Sequence, residues 1–228
     1  MIKTVLFDLD DTILDFKKAE SIAIRRALSE MNIKPTDSIA KIYSEINKSQ
    51  WLLLEQQKIS RSELLTRRFD LLFEKLGVKR SGKQMQTIYE RFLSEEHVFI
   101  PDANEVLNVL SKEFSMYIVS NGSAFVQENR IKSSGISKYF KNIFISERIG
   151  YNKPHKAFFD KCFSSIELLD RSNTIIIGDS LTSDIKGGNN AEILTCWYNP
   201  SKKANNSDAV VDYEISSLTE LPALLKQN

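Results

Sequence analysis

The sequence predicts an α/β fold, a parallel β-sheet core interrupted after its first strand by a block that is helical throughout. Three observations carry this reading. Short β-branched or apolar runs that end in polar residues occur at 4–7, 116–119, 143–145, 174–177 and 193–198, the signature of buried strands. Helix-like segments lie between the later runs, and strand alternating with helix implies parallel βαβ units. From about Lys17 to His97 the apolar spacing changes to threes and fours, and strand signals stop.

In order along the chain, Thr4-Val5-Leu6-Phe7 forms the first strand and runs straight into Asp8. The helical block follows, with stripes at Ile24, Leu28 and Met31, at Ile39, Ile42 and Ile46, and at Leu65, Phe69, Leu72 and Leu76. Ser60-Arg61-Ser62-Glu63 has the spacing of a capping box at the start of the third stripe, and Met85, Ile88, Tyr89 and Phe92 mark a fourth helix. Beyond it, Pro101-Asp102 opens a helix over 105–110 and Asn121-Gly122 opens another over 125–132. Pro154 is placed to occupy the first position of a helix. The chain thus divides into a core of residues 1–15 and 98–228 and a helical insert of residues 16–97.

At 228 residues, 42% hydrophobic and 27% charged, the chain can bury a core without disulfides or metal staples, which excludes global disorder. A net charge of +1 supplies no field for a nucleic-acid polymer. No apolar run approaches the roughly 20 residues needed to span a bilayer, and the first residues lack the pattern of a signal peptide. Cys162 and Cys196 have neither metal-ligand nor disulfide-framework spacing, and a cytoplasmic setting is expected. The sequence carries no signal for an oligomeric state.

Four short segments carry chemistry. Asp8-Leu9-Asp10-Asp11-Thr12 ends the first strand, where open α/β sheets bind ligands. Two carboxylates so close raise each other's proton affinity unless a cation intervenes, which suits a divalent metal or a nucleophile beside an acid/base partner; acids also simply end strands. Ser120-Asn121-Gly122 follows the second strand and offers a hydroxyl and backbone N–H groups to an oxyanion, or forms an ordinary turn. Lys153 precedes Pro154 and is suited to neutralising a phosphate, or to solvation alone. Gly178-Asp179-Ser180-Leu181-Thr182-Ser183-Asp184 sets two more acids around a strand-to-helix turn, where Asp179 or Ser180 also fits as a helix cap.

The joint order of these segments, each at a strand end of a parallel pattern, resembles the haloacid dehalogenase (HAD) superfamily of phosphotransferases over essentially the whole chain. The resemblance implies a Rossmann-like parallel sheet core, with the insert placed like that superfamily's C1-type helical cap. It implies Asp8 as a nucleophile that forms an aspartyl phosphate, and Asp10 as the acid that protonates the leaving alkoxide and then the base that activates water. Mg²⁺ is expected on Asp8, the Asp10 carbonyl and Asp179, with Asp184 behind them. Ser120 and the Asn121 N–H are expected to hold phosphoryl oxygens. Lys153 is expected to counter charge on both Asp8 and phosphate, and to matter more to rate than to fold.

Asp at position 10 disfavours the superfamily's dehalogenases. Segments 11–16, 51–55, 59–64 and 67–69 resemble the house-cleaning pyrimidine 5′-nucleotidase branch, so the expected partner is a small phosphomonoester, a pyrimidine nucleoside 5′-monophosphate first. Specificity is expected in the insert and in Leu14-Asp15-Phe16, with Phe16, Trp51 and Phe69 as candidates to stack on a base; aromatics at helical spacing also serve as core. A sugar-phosphate or phosphoglycolate phosphatase and a phosphoglucomutase share the same catalytic residues. A receiver-like phospho-acceptor needs neither the insert nor Asp10, and a degenerate scaffold does not need the full motif set.

Overall fold

The computed structural model describes residues 1–227. Two compact units are present, Met1–Asp15 together with the chain from Val98 on, and Phe16–His97. The first holds a six-stranded sheet of β1 (Thr4–Phe7), β2 (Ser115–Ser120), β3 (Asn142–Ile145), β4 (Thr174–Gly178), β5 (Leu194–Tyr198) and β6 (Tyr213–Ile215), in the order β3-β2-β1-β4-β5-β6. All pairings are parallel. β1 lies between β2 and β4, so the strand order reverses beside it, and the crevice outside the carboxyl ends of these strands is the natural ligand site. Phe7 stands opposite both Ile118 and Ile177, which brings Asp8, Val119 and Gly178 level at that edge.

The second unit is four helices, α1 (Phe16–Glu30), α2 (Asp37–Glu55), α3 (Arg61–Leu76) and α4 (Gly82–Glu95). Hydroxyls start three of them: Thr36, Ser60 and Ser81 each accept from a backbone N–H three residues on, at 3.2 Å, satisfying donors that a helix start leaves open. Gly77, at φ 66°, ends α3 in the left-handed conformation that glycine adopts without strain. The buried stripe of α2 is Ala40, Tyr43, Asn47, Gln50 and Leu54, one residue round from the expected Ile39, Ile42 and Ile46, which are half-buried. Hydrogen bonding decides this. Asn47 donates to Glu20 at 2.7 Å, and Arg68 donates to Asn47 at 2.8 Å and to Gln86 at 2.7 Å, so polar side chains from all four helices bond to one another inside.

Phe69 belongs to that interior. It is fully buried and stacks on Tyr43 at 5.2 Å with Tyr89 edge-on at 5.4 Å, so its ring is core and cannot stack on a substrate. Phe16 and Trp51 are half-buried; Arg61 lies over the Trp51 ring at 5.5 Å.

The remaining helices are α5 (Ala103–Leu110), α6 (Ala124–Ser134), α7 (Ser146–Ile149), α8 (Lys156–Phe163), α9 (Lys186–Asn190) and α10 (Leu221–Gln227). Side chains alternate across the sheet with the period of a strand. Val5, Phe7, Ile118, Ile175 and Ile177 pack with Leu107, Leu110, Leu221 and Leu225 of α5 and α10. Leu6, Val119 and Ile176 pack with Phe158, Phe159 and Cys162 of α8 on the opposite face. The strand β6 has no counterpart in the sequence reading, and α8 begins at Lys156 with His155 as its N-cap, two residues beyond the expected Pro154. The Lys153–Pro154 peptide is cis. Both cysteines are free and buried, and among the described residues no helix is long and apolar enough to cross a membrane.

Candidate active site

The backbone ladder carries past the end of β1: Asp8 N–H donates to Ile177 O at 2.9 Å, and this fixes the Asp8 carboxylate at the edge of the sheet. Lys153 lies behind it with 1% of its surface exposed. Its ammonium donates to Asp8 Oδ1 at 2.7 Å, Asp184 Oδ1 at 2.7 Å and Val119 O at 2.6 Å. An ammonium has three N–H donors, and these three oxygens take them. Lys153 therefore acts as a buried positive charge on two carboxylates, with its three protons engaged.

Asn121 places that lysine. Its amide donates to Lys153 O and accepts from Lys153 N–H, both at 2.9 Å, and it also donates to Ser183 Oγ at 3.2 Å. The side chain of Asn121 is a clasp joining the loop after β2 to the loop after α7 and to the turn after β4, a role distinct from the expected one of its backbone N–H. At the start of α6 the Ala124 N–H is taken by Glu147 Oε2 at 2.6 Å, so a protein carboxylate already uses part of the helix N-terminus that the sequence suggested for an oxyanion.

Asp184 is 1% exposed, and its Oδ2 accepts from Ser180 N–H at 3.1 Å. The carboxylate folds over the end of β4, where a Cβ on Gly178 would lie 2.3 Å from its Cγ and Oδ2; only glycine leaves that room. Carboxylate oxygens of Asp8, Asp179 and Asp184 lie within 4.8 Å of one another. Asp184, expected behind the metal ligands, is thus a member of the cluster itself. Ser180 caps the π-helical turn Leu181–Ile185 by accepting from Ser183 N–H at 3.2 Å, and Asp179 O accepts from Trp197 Nε1 at 2.9 Å.

Burial, then the charge of Asp184, raises the Asp8 carboxyl well above the usual carboxylate range; Lys153 opposes this, and Asp179 and Asp10 add to it. Burial works against the charge on Lys153, but Asp184 and Asp8 outweigh it and hold the ammonium above its ordinary value. Three carboxylates facing one ammonium leave an excess of negative charge. Hard oxygen donors in a negative, largely buried cluster fit a divalent cation such as Mg²⁺ or Ca²⁺.

The Asp10 carboxylate points elsewhere. Its Oδ2 accepts from Gln127 Nε2 at 2.6 Å and its Oδ1 from Arg130 Nη1. Ser120 Oγ accepts from the same Gln127 nitrogen at 2.8 Å and from Gly122 N–H at 3.2 Å. Gln127 and Arg130 escaped the sequence reading; their spacing of three on a helix that follows the Ser120 loop is the one signal that points to them.

A family model described as haloacid dehalogenase-like hydrolase matches residues 5–198. The chain is 41% identical over 223 residues to the HAD-hydrolase YfnB of Bacillus subtilis, covering 98% of this chain and 95% of that protein. A crystal structure of YfnB bound to magnesium superposes with a TM-score of 0.94 over 98% of each chain. The pyrimidine 5′-nucleotidases PynA of Streptococcus pneumoniae and YjjG of Escherichia coli are 36% and 29% identical; they cover 99% and 97% of this chain, and the matches span 96% of each of them. The chain belongs to the haloacid dehalogenase-like hydrolase family.

Proposed function

We propose that this protein is a Mg²⁺-dependent phosphomonoester hydrolase that acts on small phosphometabolites through an aspartyl phosphate and prefers pyrimidine nucleoside 5′-monophosphates. The observation that carries the chemistry is the Asp8–Lys153–Asp184 cluster, with Asp10 two residues past Asp8. Asp8, Asp179 and Asp184 would hold the cation, which when bound neutralises charge on the phosphoryl oxygens.

The Asp8 carboxylate attacks phosphorus while the bond to the ester oxygen breaks and Asp10 gives its proton to the departing alkoxide. Water then attacks the aspartyl phosphate, Asp10 takes the proton, and the bond from phosphorus to Asp8 breaks. Ser120 donates to a phosphoryl oxygen, and the Lys153 charge favours the ionised form of Asp8 that attacks.

The nucleotide preference rests on the likeness to PynA and YjjG, which extends over nearly the full length of each. Phosphate release from a panel of nucleoside and deoxynucleoside monophosphates and sugar phosphates, with Mg²⁺ and with EDTA, tests both parts. Faster turnover of pyrimidine nucleotides is expected, abolished by EDTA. A preference for sugar phosphates would replace the substrate and keep the chemistry; no release from any ester would overturn the hydrolase reading.

A further inference from the structure

Gln127 uses both N–H donors and its carbonyl oxygen. Nε2 donates one N–H to Asp10 Oδ2 at 2.6 Å and the other to Ser120 Oγ at 2.8 Å, and Oε1 accepts from Arg130 Nη1 at 3.0 Å. An amide facing a guanidinium must present its oxygen, so Arg130 fixes which end of Gln127 meets Asp10 and Ser120. Arg130 also donates to Asp10 Oδ1, and the two side chains together hold both oxygens of that carboxylate. Arg130 is 0% exposed, and residues three apart on α6 share one face.

Two consequences follow for Ser120. Its oxygen receives two hydrogen bonds, from Gln127 and from Gly122 N–H, which occupy both lone pairs and leave the hydroxyl proton to be donated outward. Gly122 is also explained, because a Cβ there would lie 2.4 Å from Gln127 Nε2 and displace it.

We propose that Gln127 and Arg130 are positioning residues that couple the two jobs of the site, holding Asp10 for proton transfer and presetting the Ser120 hydroxyl as a donor to a phosphoryl oxygen. The Ser-Asn-Gly turn and the Gln-x-x-Arg of α6 then form one device. The inference rests on the hydrolase reading above and deepens it.

The test uses leaving groups. An alkyl ester such as a nucleoside 5′-monophosphate needs a proton to depart, whereas p-nitrophenyl phosphate does not. In Gln127→Met and Arg130→Met, kcat on the nucleotide is expected to fall by roughly 10²-fold or more, the range of a lost acid/base contribution. Formation of the aspartyl phosphate from p-nitrophenyl phosphate should fall far less, so that rapid mixing shows a burst of nitrophenolate approaching one per chain, followed by slow turnover. Arg130→Lys keeps a donor for Asp10 and should recover part of the loss.

Should Gln127→Met fail to fold by circular dichroism, Gly122→Ala, which leaves Gln127 in place but pushes its amide aside, is expected to give the same pattern. Equal losses in the rate of aspartyl-phosphate formation from the two esters, or a folded variant with wild-type kcat, would overturn the positioning role. Failure of the unsubstituted protein to hydrolyse either ester overturns the hydrolase reading instead, and the inference with it.

Discussion

A lysine with 1% of its surface in water looks like a liability until its partners are counted: two carboxylates and a carbonyl answer the three protons of Lys153. Removing the one ammonium of such a buried group leaves its carboxylates uncompensated, a loss of about 3–5 kcal/mol. Lys153 is thus expected to matter to the fold as well as to rate. Asp8 has the opposite sign. A carboxyl held above its ordinary value by burial and by Asp184 favours the folded state below that ordinary value, about 3.9, and progressively costs stability as pH rises through the raised one. In EDTA at neutral pH, Asp8→Asn should therefore melt higher than the wild type, and in Mg²⁺ it should lose all turnover; Lys153→Met should melt lower in EDTA. The Asp8→Asn advantage should shrink as pH falls toward 4; an Asp8→Asn protein that melts lower at pH 7.5 would contradict the charge assignment. The motif acids, Ser120 and Lys153 were legible as residues, because a strand end followed by a carboxylate is written in consecutive letters. The burial of Lys153, and the grip of Gln127 and Arg130 on Asp10, depend on rotamers of residues more than a hundred positions from Asp10, which a linear pattern does not carry.

Strands and helices were legible to the extent that local patterning decides them. The five buried apolar runs became β1 to β5, and Ser60 caps α3 as its spacing predicted. The three-residue β6, with one buried side chain of its three, is too short to show a period and exists through its pairing with β5. In α2 the isoleucine stripe pointed to the wrong face because Asn47 and Gln50 turn inward, a choice made by Glu20 and Arg68 on other helices and so invisible within α2 alone. The same interior takes the Phe69 ring out of contention for substrate. Phe69→Ala should lower the stability of the helical unit by about 3–5 kcal/mol, the cost of a large core truncation, with KM for any phosphomonoester changed less than twofold, as read by urea unfolding alongside steady-state kinetics. A large rise in KM in a folded variant would return the ring to the binding surface.

Across the whole molecule, chemistry-bearing side chains of the first unit gather at the carboxyl edge of one sheet, while the second unit brings a polar and aromatic interior of its own. Cation binding should accordingly stabilise the first. At a hundredfold excess over Kd, Mg²⁺ adds about 2.7 kcal/mol, on the order of 5–10 °C for a protein of this size. Trp197, bonded to the Asp179 carbonyl, reports that unit by fluorescence in a Trp51→Phe background, and Asp179→Asn should lose the shift; no shift in the unsubstituted cluster would mean that it does not take the ion.

The chain leaves the first unit and comes back to it side by side: Leu14 pairs antiparallel with Phe99, Asp15 N–H donates to Val98 O at 2.8 Å, and Ile100 N–H donates to Ile13 O at 2.9 Å. The two ends of the insertion are therefore stapled together by the sheet unit itself, and closure entropy grows only slowly with the length of what is looped out. Such a port accepts cargo of many sizes, so descendants of this chain can trade the segment between Asp15 and Val98 for another without rewriting the edge where the chemistry sits.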